Sequence, residues 1–188
     1  DLLPASAAVA PPNPLSGINY WAYQINNQDQ NSSAAKLAAS PYQLLVLNSP
    51  ATVKGNEAYD NKADVALLKQ SKSYAGSNKI VLSYIDVGEA EDYRTYWQKD
   101  WKPGSPEWIV ASDPDGFSGN YPVKFWRQEW QNILKPELDK IIADGYDGIY
   151  LDWLEAYSFQ PVADAAKAEG KDPAQELIKF AQWIADYT

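Results

Sequence analysis

Two stretches of this chain concentrate side chains able to do acid/base or nucleophilic chemistry. Ser83–Trp97, SYIDVGEAEDYRTYW, places Asp86, Glu89, Glu91, Asp92 and Arg94 directly behind an apolar, β-branched run. Gly145–Tyr157, GYDGIYLDWLEAY, closes a similar run on Asp152, with Glu155 shortly after it. Paired carboxylates suffice to hydrolyse a glycosidic bond. About 5–5.5 Å apart, one attacks and the other transfers the proton; a wider gap admits a water. The composition points the same way. The 188 residues contain no histidine and no cysteine, which excludes Ser-His-Asp relays, thiol nucleophiles, disulfides and Cys/His metal sites. Acid/base work near neutral pH then falls to carboxylates, lysine or tyrosine. Such chemistry needs neither cofactor nor metal, and none is expected.

Each acid also has a plainer reading. An acidic residue after a strand ordinarily serves as a helix N-cap or turn former. Glu91 and Asp92 can solvate a following helix, and Asp147 before Gly148 reads as a turn. Asp113 and Asp115 lack the further ligands of a calcium loop. Arg94 is placed to pair with Glu91 or Asp92 and hold the loop. Asp152 resists this reading best, because it follows a buried run and precedes Trp153.

The elements that must position these acids alternate between strand and helix. Strands are predicted at Ile18–Ile25, Tyr42–Leu47, Lys79–Ile85 and Asp147–Leu151. The second is a continuous apolar run, typical of a parallel strand buried on both faces. Helices are predicted at Ser32–Ala39, Lys62–Ala75 with Gly76 as the stop, and Trp126–Ala143 with Gly145 as the stop and a kink or break at Pro136. The last helix starts at Asp172 as N-cap, Pro173 and Gln175. Between strands three and four, Glu107–Ala111 and Tyr121–Phe125 flank a turn at Asp113-Pro114-Asp115-Gly116, as in a small hairpin.

Repeated strand–helix units give an α/β fold with a parallel sheet, doubly wound or a TIM barrel. Nucleotide-binding glycine fingerprints are missing. Polar residues recur just past strand ends, at Asn26, Asn48, Asp86 and Asp152, where barrel enzymes keep their chemistry. Eight units take about 250 residues, so this chain is expected to cover about the first four.

Charge and composition set the partners. Sixteen Lys+Arg against 25 Asp+Glu give a formal charge of −9, which repels phosphate backbones and argues against nucleic acid. No run approaches the roughly 20 apolar residues of a membrane span. Eight Trp and 13 Tyr suit both core packing and sugar-stacking walls. Tyr20, Trp21, Tyr84, Tyr93 and Trp153 are the candidate walls, while Trp97, Trp126 and Trp130 read as packing residues. The Ala/Pro-rich start, residues 1–16, reads as a flexible leader behind a removed export signal, with the domain over residues 17–188. The Asn31-Ser32-Ser33 sequon matters only in a glycosylating host.

Together WAYQIN, YQLLVL, SYIDVGEAEDYRTYW, VKFWRQEW and DGIYLDWLEAY resemble glycoside hydrolase family 114, the endo-α-1,4-polygalactosaminidase-like proteins, from about Ile18 onward. The resemblance implies an exported (β/α)₈ barrel cleaving α-1,4-linked galactosamine polymers. It implies Asp152 as the nucleophile or its equivalent and the GEAED carboxylates, especially Glu89, as substrate-site residues. It places the acid/base glutamate on a later strand, past Thr188. The second strand commonly ends in an acid in that family; here it ends in Asn48. The expected substrate-site set is Asp86, Glu89, Glu91, Tyr84, Tyr20, Trp21, Asn48 and Trp153. The expected partner is a polysaccharide or amino-sugar oligosaccharide, its ammonium groups drawn to the acids. A barrel that binds an amino sugar without cleaving it is the alternative.

Overall fold

The computed structural model describes residues 13–30, 32–113 and 116–188. Most of the predicted leader, the sequon residue Asn31 and the centre of the predicted 113–116 turn lie outside the described residues. In chain order the strands are β1 (Trp21–Gln24), β2 (Leu44–Leu47), β3 (Ile80–Asp86), β4 (Glu89–Glu91), β5 (Asn120–Pro122) and β6 (Gly148–Asp152). The helices are α1 (Ser33–Ala38), α2 (Asn61–Gln70), α3 (Gln128–Asp144), α4 (Gln160–Ala168) and α5 (Pro173–Tyr187). Four strands form the main sheet, all parallel, in the order β1-β2-β3-β6. Helices α1, α2 and α3 make the crossovers, and α4 and α5 follow β6. A doubly wound sheet reverses its strand order at a switch point. Here each new parallel strand adds to the same edge, so the chain builds four β/α units of a TIM-type barrel.

Period-two alternation divides the sheet between two environments. Leu45, Leu47 and Val81 pack with Leu37 of α1 and Leu68 of α2 on the helix-covered face. Leu44, Val46 and Tyr84 cluster on the other face with Ile80, Leu82 and Tyr150. Every residue of β2 is buried, as its unbroken apolar run requires. The largest core lies beyond the sheet. Trp130, Leu134 and Leu138 of α3 meet Ile109, Val123 and Phe125 from the long connection and Phe180 of α5. The Trp130 indole N–H donates to the Val87 carbonyl at 3.1 Å, tying this core to the chain just past β3.

Three local expectations change. Helix α2 ends at Gln70 rather than Ala75, because Ser71 turns extended. The segment after it closes on itself and shares the buried Lys79 ammonium, which donates to the carbonyls of Ser40, Tyr42 and Lys72. Helix α3 runs unbroken through Pro136. One backbone bond is lost there, but Trp130, Leu134, Leu138 and Ile141 bury one face on both sides of the proline. The predicted hairpin is part of a larger arrangement, in which β4 pairs antiparallel with β5. The other edge of β5 takes backbone bonds from the 108–113 segment, including Val110 N–H to Pro122 O at 2.8 Å. Local sequence carries no signal for this pairing, since Glu89 and Pro122 are partners across a long connection. Asp172 caps α5 as expected, its carboxylate accepting from the Ala174 and Gln175 amides.

Candidate active site

The chain leaves β3 through a turn built by its own acid. Asp86 Oδ1 accepts from the amides of Gly88 at 3.0 Å and Glu89 at 2.9 Å, which swings the backbone into β4. Gly88 is required at this bend. A Cβ there would sit 2.5 Å from the Trp153 ring and 2.8 Å from both the Trp153 carbonyl and the Ala156 Cβ. Trp153 itself has φ +55°, a left-handed turn that ends β6 immediately after Asp152. The register pairs Asp86 with Asp152 directly across β3 and β6, so both acids stand at the same end of the sheet.

These two acids line a cleft of about 620 Å³, together with Glu89, Glu91, Tyr84, Tyr23, Asp113, Asn120 and Trp153. Asp86, Glu89 and Glu91 are buried, whereas Asp152 and Asp113 keep partial exposure. The Tyr84 hydroxyl donates to Asp152 Oδ2 at 2.7 Å and fixes that carboxylate at the rim. Burial, then the nearby Asp86 and Glu91 charges, pushes the Tyr84 phenol far above its ordinary range, so it stays protonated as a donor.

The buried acids are held in different ways. Glu91 is neutralised by Arg94, whose Nε reaches its Oε2 at 2.6 Å, and it accepts from the Tyr93 hydroxyl. Arg94 is itself buried and donates to Asn48 Oδ1 at 2.8 Å and Thr52 Oγ1 at 2.5 Å. The Tyr93 ring adds a cation–π contact, its centroid 5.2 Å from the guanidinium carbon. These partners offset the cost of burying that charge. Asp86 lies well above the usual carboxylate range, first through burial and then through the Glu91 and Glu89 charges; its bond from the Glu89 amide opposes the shift only in part. Burial pushes Glu89 up to about 8, with the Asn120 bond opposing and Asp113 adding to the rise. Its Oε2 accepts from Asn120 Nδ2 at 3.0 Å. The site therefore combines Asp152, partly exposed and oriented by Tyr84, with two buried carboxyls, Asp86 and Glu89, that favour their protonated form. Among the described residues no group of three or more His, Cys, Asp or Glu is placed to hold a metal ion.

Asp152, Asp86, Glu89, Glu91, Tyr84, Tyr93 and Trp153 all reach the cleft, and Asn48 lines a neighbouring cavity. Tyr20 and Trp21, expected as walls, are not among its lining residues. They sit at the start of β1, where Tyr20 meets Tyr74 edge-on at 5.0 Å. The catalytic end of a barrel is the end where its strands finish, and β1 carries these two rings to the other. Tyr23, nearer the C-terminal end of β1, lines the cleft instead, with its ring 5.9 Å from Tyr84 and 5.6 Å from Tyr150. Strand alternation puts Trp21 and Tyr23 on one face, so a signal for Tyr23 was available. Asn120 and Asp113 carried none, because a long connection brings them in.

Residues 4–188 match the model of glycoside-hydrolase family GH114. The chain belongs to that family. It is 32% identical over 169 residues to an uncharacterized protein of Deinococcus radiodurans, covering 88% of this chain and 51% of the relative. An uncharacterized protein of Methanocaldococcus jannaschii is 34% identical over 168 residues, covering 89% and 44%. The chain thus spans about half the length of these curated relatives. Its fold resembles the glycoside hydrolase domain of PelA from Pseudomonas aeruginosa, with a TM-score of 0.59, 20% identity and coverage of 89% of this chain and 55% of that one. Aspergillus fumigatus Ega3, solved in complex with galactosamine, gives a TM-score of 0.56 at 17% identity, covering 89% and 54%. At these identities the two solved structures establish the fold of this GH114 chain.

Proposed function

We propose that this chain supplies the nucleophile-bearing half of the site of an exported glycoside hydrolase acting on galactosamine-containing polysaccharide, with Asp152 as the attacking carboxylate or its equivalent. The observation that carries the reading is Asp152 itself: a partly exposed carboxylate at a strand's C-terminal end, oriented by Tyr84 and facing a cleft. Barrel enzymes place reacting groups there. Family membership and the galactosamine complex of Ega3 support the substrate class.

The buried acids supply a reason for choosing an amino sugar. Asp86 and Glu89 are held toward their neutral forms by desolvation, and an incoming ammonium restores the balance toward the carboxylate. A cation bound beside them therefore displaces protons. Tyr84, Tyr23 and Trp153 line the same cleft with aromatic surface. The test is a substrate panel for the full-length protein. Reducing ends should appear from de-N-acetylated α-1,4-galactosamine oligomers at least tenfold faster than from the uncharged α-1,4-galactose oligomers. Tight binding of the amine oligomers without any release over long incubation would replace hydrolysis with the binding-module alternative.

A further inference from the structure

A cavity of about 320 Å³ lies between the second and third β/α units, away from both open edges of the sheet. Helix α3 forms one wall with Ile133, Pro136, Glu137 and Lys140. The chain past β2 supplies Ala51 and Thr52, and the chain past β4 supplies Thr95 and Tyr96. The cavity shares no lining residue with the acidic cleft. Arg94 connects the two, pairing with Glu91 and donating to Thr52 Oγ1 at 2.5 Å.

Glu137 is the exceptional group in this wall. It is 8% exposed, yet neither of its carboxyl oxygens accepts a hydrogen bond from a described residue. Oε1 is sealed from solvent and Oε2 is not, so the carboxyl opens toward the cavity that Glu137 lines. Buried polar groups are nearly always partnered. The cations around this one are taken. Lys140 donates to both oxygens of Asp144, at 2.5 and 2.7 Å, and Arg94 neutralises Glu91. The Tyr96 phenol, pushed far above its ordinary range by burial and then by Glu137 and Glu91, stays neutral and accepts from the Glu91 amide. One negative charge is left over whenever Glu137 ionises. Burial pushes this carboxyl up to about 7, with Arg94 opposing and Glu91 adding to the rise. An arriving ammonium supplies the counter-charge that makes ionisation favourable. We propose that this cavity binds a compact primary amine, its ammonium paired with Glu137 and its carbon skeleton against Ala51, Ile133 and Pro136. The volume falls at the lower end of small-ligand sites, about 300–1,000 Å³. The inference is independent of the reaction assigned to the cleft.

The probe is cyclohexylammonium, which stays charged near neutral pH as lysine does, with cyclohexanol as its uncharged counterpart. Calorimetry on the full-length protein at about pH 8 should find the amine about tenfold tighter than the alcohol or better. At about pH 6 the amine should weaken about tenfold, because Glu137 must then give up its proton to bind. The heat at the lower pH should vary with the buffer and report about one proton released per amine bound. Glu137→Gln should remove both the preference and the proton release. If that variant fails to fold, Thr95→Lys, at an exposed position in the wall, should fill the site with its own ammonium and block the probe. Galactosamine run alongside identifies the source. Equal binding admits a sugar-borne amine, and weaker binding restricts the site to apolar-bodied amines; both uphold it. Glu89→Gln, which alters the acidic cleft, should leave the Glu137-dependent binding in place. Binding lost in Glu89→Gln but kept in Glu137→Gln would move the amine to the cleft, supporting that reading and overturning this one. No binding of the amine, equal affinity for amine and alcohol, or a preference unmoved in a folded Glu137→Gln protein would also overturn it.

Discussion

Replacing Glu89 with glutamine should flatten the pH dependence of stability by a definite amount. Burial first, and Asp113 further, raise this carboxyl from 4.5 to about 8, against the opposing Asn120 bond. Below the lower value, folded and unfolded chains are both protonated and the stability is complete. Between the two values only the unfolded chain gives up its proton, so unfolding becomes easier as pH rises, and the loss levels off above the upper value. At about 1.4 kcal/mol per pH unit the interval has a ceiling of about 5 kcal/mol. Solvent in the cleft screens the neighbouring charges and the acids share the burden, which leaves about 2–3 kcal/mol assignable to this side chain. Glutamine has no charge to lose, can still accept from Asn120 and can donate toward Asp113. Asp86 and Glu137 are also raised, chiefly by burial, and stay in the variant, where Asp86 loses only the part of its rise that comes from the Glu89 charge; the difference between the two proteins measures Glu89 together with that coupling. Urea unfolding of both from about pH 5 to about pH 9 should show native stability falling more steeply, by about 2–3 kcal/mol over the range. Parallel curves would refute the assignment of a raised Glu89.

Tyr84→Phe removes the 2.7 Å bond to Asp152 and should lower kcat about tenfold, worth about 1.4 kcal/mol, while circular dichroism stays native; an unchanged kcat would exclude an orienting role. Gly88→Ala forces a Cβ to within 2.5 Å of the Trp153 ring. It should cost about 2 kcal/mol or more in urea unfolding and shift Trp emission; a variant as stable as the native protein would contradict that close approach.

Which parts of this were legible in the sequence follows from the range of the forces involved. The YQLLVL run has the pattern of a strand buried on both faces, and Asp172-Pro173 with Gln175 the pattern of a helix start; both signals lie within a few residues. Asp86 and Asp152 were visible because each ends an apolar run. Their juxtaposition needed only the β3–β6 register. The surroundings of Glu89 were not legible, since its burial and its contacts with Asn120 and Asp113 arise from a long connection. Arg94 as a partner of Glu91 was readable from their spacing, but its bonds to Asn48 and Thr52 span 46 and 42 residues. Tyr20 and Trp21 were expected at the cleft because aromatic character was weighed without position along the strand.

Turnover by the Asp152→Asn protein tests the central claim most directly. The amide keeps the side chain's shape and an oxygen for the Tyr84 hydroxyl, but removes the carboxylate that attacks or assists. Reducing-end release from de-N-acetylated α-1,4-galactosamine oligomers should fall by about a thousandfold or more, the scale of losing a principal catalytic group, with binding of the oligomers retained. Release at the native rate by a folded Asp152→Asn protein would contradict the account.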